Sequence, residues 1–497
     1  MVAVWAASES GLAISADSTV YVEAARSITA GHGLLAQNVS DEPLPVTHWP
    51  ALFPLLIAIA DRLCGDLVTG VRVLNAFAHG ATSALMGWSA WRLTANRFAC
   101  GLAATGTALH PVLIEMGQSL LSETVFICLV AWAGALLLSE LSLPTRGSLF
   151  LLSVACGLSA LQRYAGFFLW IACIVTIGRW GQGAIIARLK RVALFLAVAS
   201  ILPGINLIRN FVEAGTMTDR SMERMAFRIP DFRGAAGVVA FWLIEPGQTR
   251  SLRIVVLFLA LVFAIAACSW AIAAESVKRP RTMALMVLGF SYLSLLVTTA
   301  SAIDALTPFD SRTLSPLAPL FLLLVTAWSF DRLPGNRFLR PLHILGRTAL
   351  TALVVSYACR QESGVDSLRF QKGYAGERWA RSPTIEALRE MNPSRVWSNR
   401  AEAVRFVLPG RVSFLPLLFD PRAGPSSPNQ ALREQSAAGR KQMCESGAVV
   451  ALFDEGWDFQ PRAGQAVREM GLMVVRDTDD GLLARATTPC RGETSLF

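Results

Sequence analysis

The sequence predicts a polytopic α-helical membrane protein of about ten to eleven membrane helices, followed by a small C-terminal α/β domain. Three observations predict it. Hydrophobic residues make up 53% and charged residues 16% of the 497, where soluble domains carry about 25% charged residues. Apolar runs recur from residue 51 to residue 359. After Arg360 the pattern changes to short strand-like and helix-like segments in alternation. The expected domains are therefore 1–360 and 361–497. The net charge of +9 sits largely in short loops between apolar runs, where it reports orientation rather than nucleic-acid binding.

Taken in order, residues 1–14 are too short and polar for a span of about 20 apolar residues, and they lack the basic start of a signal peptide. A membrane helix is expected before Asp17 that this stretch does not supply. Ser15 to Ala30 reads as one helix, with Ser15 as N-cap, Asp17 in the first turn and Gly31 past the end. Asp17 and Tyr21, four apart, share a face. The polar and aromatic chain that follows carries His48 and is stiffened by Pro50 and Pro54, so residues 15–50 read as a first outer loop.

Apolar runs then fall at 51–64, 67–91, 98–114, 121–139, 148–162, 165–178, 191–210, 253–274, 283–303, 313–330 and 344–359. Asp61 and Arg62 interrupt the first, which reads as interfacial or re-entrant. The runs 148–162 and 165–178 are short for a bilayer and are parted only by Arg163 and Tyr164, as in a hairpin that stops part-way through. Basic residues concentrate in alternate loops: Arg92 and Arg97, Arg146, Arg179 to Arg191, Lys278 to Arg281, and Arg332 to Arg347. That set is assigned to the cytoplasm. Asp17, His48, Glu123, Arg163, Arg312, the loop 211–252 and the tail then lie on the outer side. In the tail, helices are expected at TIEALREM and AGQAVREMG, and strands at RVWSN, RVSFLP, GAVVALFD, LMVVRD and GLLARAT, with PRAGPSSPNQ as a connector. The nine cysteines show no C-x-x-C pair, so no metal site is expected, while Cys444 and Cys490 could pair outside the cytoplasm.

Ionisable groups near membrane spans are costly, so each needs a reason. Asp17 could serve as a general base, or as a first-turn acid favoured by the helix dipole. His48 could donate to a phosphate, or sit at the interface beside Trp49. Arg163 offers the planar fork that suits a phosphate, or else forms a buried ion pair with Glu123. Arg312 beside Asp310, and Arg209 beside Asn210, either snorkel at the boundary or join Arg163 in an outward cationic pocket fit for an anionic lipid headgroup. A multi-pass transporter and a non-catalytic lipid-binding protein are the alternative readings; no repeat between halves is evident, and the charges crowd one face.

The ordered set D-S-x-x-Y-x-x-x-A-R-x-I-x-x-G-H-G-L, H-W-P-A-L-F-P, L-S-E-T-V-F, L-Q-R-Y-A-G and D-S-R-T-L-S-P, spanning residues 15 to 330, resembles the bacterial GT-C class of membrane glycosyltransferases, the group of protein mannosyltransferases and aminoarabinose transferases. The resemblance implies transfer of a sugar from a polyprenyl-phosphate-linked donor to an acceptor at the periplasmic face of the inner membrane. It implies Asp17 and Glu123 as catalytic acids, and His48, Arg163 and Arg312 as donor phosphate ligands. Tyr21, Tyr164, Asp310 and Arg209 would line the pocket. Relatives often carry two adjacent acids in the first loop, where Asp17 is here followed by Ser18, and Ala51 stands where a second proline is common. No cofactor is implied with certainty, and use of a divalent cation is left open.

Overall fold

The computed structural model describes residues 1–9, 11–36, 43–218, 232–244, 280–303, 307–330, 340–369, 373–375, 377–408, 412–415, 443, 448–454, 463–469 and 471–486. The chain forms two compact units. One comprises Met1–Leu12 and Val46–Arg369, and the other Ala13–Pro45 and Phe370–Phe497.

The first unit is helical. It contains α1 (Val2–Ala7), α3 (Leu52–Cys64), α4 (Leu67–Thr94), α5 (Arg97–Ala108), α6 (Pro111–Gly117), α7 (Glu123–Ser142), α8 (Arg146–Gln162), a 3-10 turn (Tyr164–Gly166) and α9 (Phe167–Trp180). There follow α10 (Ile185–Ala199), α11 (Ile201–Ala214), α12 (Arg233–Leu243), α13 (Pro280–Thr298) with a π turn after it, α14 (Ser311–Leu314), α15 (Leu317–Ser329) and α16 (Arg340–Arg369). Every expected apolar run falls on these helices apart from 253–274, which lies outside the described residues. By length and composition, three described helices can cross a membrane, Glu123–Ser142, Pro280–Ala302 and Pro341–Arg360, and up to five segments if each of two bent pairs is one span.

Local chemistry explains the breaks. Asp66 caps α4 by accepting from Thr69 N at 2.7 Å, and Asn96 caps α5 from Phe98 N and Ala99 N. The 49° bend between α5 and α6 falls at Pro111, which lacks an N–H and crowds the carbonyl four residues back. The 43° bend between α10 and α11 has Pro203 in the same relation to Ala199. Helix α7 runs through the centre, packed against α4, α8 and α13, with Phe126, Leu137 and Leu138 fully buried. Gly157 of α8 lets α10 come close, since a Cβ there would meet the Ala199 carbonyl oxygen at 2.7 Å.

Several helices are amphipathic in the reversed sense. On α11, Asn206 and Asn210 are buried while Ile201, Ile205, Ile208, Phe211 and Val212 are exposed. On α4, Asn75, His79 and Thr82 face in while Val73 and Phe77 face out. Water outside would favour the opposite arrangement, so these faces fit hydrocarbon. Helix α3, with Leu55, Ile59 and Leu63 exposed at spacings of four, suits an interfacial position.

The second unit is α/β. Helix α2 (Ala16–Thr29) and the short antiparallel pair β1 (Leu35–Ala36) and β2 (Leu44–Pro45) come from the N-terminal part. The tail adds α17 (Glu377–Ala380), α18 (Pro383–Met391), β3 (Val396–Ser398), α19 (Ala401–Val407), β4 (Val412–Phe414), β5 (Val449–Phe453), α20 (Ala463–Glu469), β6 (Leu472–Thr478) and β7 (Gly481–Ala486). The sheet order is β4-β3-β5-β7-β6, parallel through β4, β3 and β5 and antiparallel at β7 and β6. All five expected strands and both expected tail helices are present. The connector 421–430, Cys444 and Cys490 lie outside the described residues. Two features differ from the expected domain limits: α16 continues to Arg369 rather than ending at 360, and residues 13–45 group with the tail rather than with the helices.

Asn399 ties the sheet edge-on: its Nδ2 donates to the Phe453 carbonyl at 2.8 Å and its Oδ1 accepts from Phe453 N at 2.9 Å, all buried. Asn399→Ala leaves both backbone groups without partners at about 1–3 kcal/mol each, so unfolding of the α/β unit in urea should shift by about 2–4 kcal/mol. An unchanged midpoint would remove Asn399 from this role.

Candidate functional site: a carboxylate between two arginines

Glu123 opens α7, and its carboxylate is 1% exposed. Its Oε1 accepts from Arg163 Nη1 and from Arg312 Nε, two ion pairs on a single oxygen. The arginines are 24% and 28% exposed, so the acid is sealed in while each guanidinium reaches outward. Arg163 Nη1 also donates to Ser122 Oγ at 2.9 Å, and the guanidinium stands over the Phe126 ring. Gln162 Nε2 donates to the Ser122 carbonyl at 2.9 Å and ties the end of α8 to the start of α7.

Each arginine owes its position to a chain break. Arg163 is the extended residue between α8 and the 3-10 turn. Arg312 lies in α14, which Asp310 caps by accepting from Thr313 N at 2.8 Å, while Tyr292 donates to the Thr313 carbonyl at 2.8 Å. Asp310, expected in the pocket, thus has its carboxylate engaged in holding the turn that carries Arg312.

A second network fixes the approach to His48. Tyr164 donates to the Thr47 carbonyl at 3.0 Å, Arg209 to the Val46 carbonyl at 3.0 Å, and Asn210 Nδ2 to the Met217 carbonyl at 2.7 Å and the Tyr164 hydroxyl at 3.3 Å. Arg209 is also paired with Glu213 at 2.6 Å. Tyr164 and Arg209 therefore clamp the backbone just before His48, whose half-buried ring meets Trp49 edge-on at 4.6 Å.

Asp17 and Tyr21 belong to the second unit, on α2. Asp17 is half-buried in the first turn and Tyr21 is buried. Ser15 and Ser18 form a capping box at the N-terminus of α2. In that unit burial, then the charge of Glu402, pushes the Tyr374 hydroxyl up, with Asp17 adding in the same sense. Burial also raises the Glu402 carboxyl. Among the described residues no three His, Cys, Asp or Glu side chains gather as metal ligands.

Sequence reasoning did not single out Ser122, Gln162 or the clamp role of Asn210. The signal was adjacency: each neighbours Glu123, Arg163 or Arg209. It also left Arg191 as a topology determinant, although Arg191 Nε donates to the buried Glu140 at 2.8 Å near the other end of α7.

Because Glu123 keeps one guanidinium when the other is removed, Arg163→Met and Arg312→Met should each be tolerated better than their combination. The double variant should lose about 1–3 kcal/mol more than the sum of the singles in a thermal unfolding cycle. Additive losses would show that the two arginines do not share the acid.

No protein-family model and no curated protein matches the sequence. Solved structures do. ArnT from Cupriavidus metallidurans, solved bound to undecaprenyl phosphate and in the apo state, superposes with TM-scores of 0.60 and 0.61 at 11% identity, over 99% of this chain and 97% of that one. The oligosaccharyltransferase of Archaeoglobus fulgidus, in the apo form, gives a TM-score of 0.53 at 12% identity over 90% of this chain and 66% of that one. The fold that the ordered motifs led us to expect, that of the GT-C membrane glycosyltransferases, is the fold of this chain.

Proposed function

We propose that this protein is a membrane glycosyltransferase that moves a sugar from a polyprenyl-phosphate donor to an acceptor at the periplasmic face of a bacterial inner membrane. The observation that carries the reading is the pair of outward-reaching arginines, from separate segments, pinned by one buried carboxylate. The shared fold supports it, as does the undecaprenyl phosphate bound to ArnT. In this reading the chain crosses the membrane about ten to eleven times, and the unit containing residues 370–497 is periplasmic.

The chemistry requires little covalent help. The acceptor hydroxyl attacks the anomeric carbon, the bond from that carbon to the phosphate oxygen breaks, and polyprenyl phosphate leaves with the electron pair. Arg163 and Arg312 hold the charge that grows on the leaving phosphate, and His48 donates to it. Asp17 takes the proton of the acceptor hydroxyl. Glu123 serves by fixing both guanidiniums before substrate arrives, so that no reorganisation is needed as charge develops. Tyr21, Tyr164, Asp310 and Arg209 shape the surroundings.

The test is incubation of the purified protein with a panel of polyprenyl-phosphate sugars and candidate acceptors, reading released lipid phosphate. At least one donor should turn over, and Asp17→Asn should lower that rate by about 10²–10⁴-fold with unfolding behaviour unchanged. Absence of release from every donor would reject the reading. Full transfer by Asp17→Asn would remove Asp17 alone.

A further inference from the structure

Arg163 and Tyr164 are adjacent, yet their side chains serve different parts of the helical unit. Arg163 is extended, at φ −150° and ψ 136°, so consecutive side chains leave the chain on opposite sides. That of Arg163 reaches Glu123, and that of Tyr164 reaches Thr47, 117 residues earlier. The turn after them is tight. An added Cβ at Gly166 would collide with the Ser159 carbonyl, so glycine there lets the 3-10 turn lie against the end of α8.

The Tyr164 hydroxyl is the middle of a directional chain. Asn210 Nδ2 donates to it at 3.3 Å, and it donates its own proton to the Thr47 carbonyl at 3.0 Å. Asn210 is fully buried, and its amide is oriented by Arg209 Nη1 on Oδ1 at 3.1 Å and by the Met217 carbonyl on Nδ2 at 2.7 Å. Arg209 is paired with Glu213 and also donates to the Val46 carbonyl at 3.0 Å. Two successive carbonyls, those of Val46 and Thr47, are thereby tied to α11 and to the turn after α8. Both residues are buried, whereas His48 and Trp49 are half-buried. The Thr47 carbonyl and the His48 N–H belong to one planar peptide unit. Fixing that oxygen therefore fixes the direction in which the chain delivers His48.

Resting on the transferase reading, we propose that Tyr164 is a positioning residue for His48. Its hydroxyl sets the peptide plane that leads into His48 relative to Arg163, its own chain neighbour. Imidazole and guanidinium then meet the donor phosphate at a spacing fixed before the donor arrives. Tyr164→Phe keeps the ring and the turn but loses the one proton that reaches Thr47. Asn210 still has the Met217 carbonyl, so the loss is confined to this joint.

The experiment uses the full-length protein in nanodiscs with Tyr164→Phe, His48→Ala and the double variant, and reads hydrogen exchange at residues 46–49 together with affinity for undecaprenyl phosphate. Tyr164→Phe is expected to accelerate exchange at 46–49, to leave that of α7 at the wild-type rate, and to weaken undecaprenyl phosphate binding by about 2–10-fold. In the His48→Ala background the same substitution should cost no further affinity, because a residue that acts through the imidazole has nothing left to position. An equal loss in both backgrounds shows that Tyr164 acts without His48 and overturns the proposal. Wild-type affinity or wild-type exchange at 46–49 in Tyr164→Phe overturns it as well. A wild type that binds no undecaprenyl phosphate overturns the functional reading separately, while exchange at 46–49 still decides whether the hydroxyl holds the segment that carries His48.

Discussion

A carboxylate that is almost fully enclosed has to be charge-balanced where it stands, because an isolated buried ion costs several kcal/mol even after the surroundings relax. Glu123 meets that requirement twice over, with Arg163 and Arg312 on one oxygen. Both arginines remain about a quarter exposed. As a seat for an anion they are fixed and pre-oriented, because Glu123, Ser122 and the Phe126 ring already hold them in place.

The same helix repeats the device at its other end, with a different outcome. Glu140 is also enclosed, and it takes Arg191 and the Ser148 hydroxyl, while Arg191 reaches the Thr145 carbonyl at 3.1 Å. That cluster is neutral and ties α7, α8 and α10 together. The two glutamates are 17 residues apart on α7, about 25 Å along its axis, somewhat less than the roughly 30 Å of a hydrocarbon core. An acid near each end, held by an arginine from another segment, fixes the depth of α7, and the helix can be apolar all round between them. The reversed amphipathicity of α4 and α11 then follows: polar side chains that would seek water on a soluble protein turn inward to hydrogen-bond partners, as Asn75 does with the Gly117 and Ser119 carbonyls.

Much of the fold was legible because it is written locally. Runs of apolar residues mark α4, α7 and α13, Ser15 marks the start of α2, and the alternation after residue 361 marks the five strands. Arg163 and Tyr164 were legible as a break because nothing else separates two short apolar runs. The partnership of Glu123 with Arg163 was readable as one of two options, since the motifs place both on the outer side; the sharing with Arg312, 189 residues away, was not. Nor was the clamp of Tyr164 on Thr47, nor the pairing of α2 with the tail. These are contacts between residues far apart in sequence, and no period or propensity within a window of 10 to 20 residues encodes them. Asp310 shows the opposite case: its capping role is local and could have been read from D-S-R-T, but the acid beside an arginine drew a pocket reading instead.

The division of the chain assigns different physical demands to different parts of it. Holding a phosphate calls for fixed charge in a low-dielectric setting, and rigid helices with a buried counter-ion supply that without motion. Activating an acceptor hydroxyl calls for an acid whose direction is exact but which is not itself drowned in positive charge. Asp17 sits at the first turn of a short helix whose register comes from the Ile14–Gly373 approach and the Glu23–Arg405 pair. Helix α2 packs on α19 and β1 within the α/β unit, so in the proposed reaction that unit holds the acid while Arg163 and Arg312 belong to the helical unit.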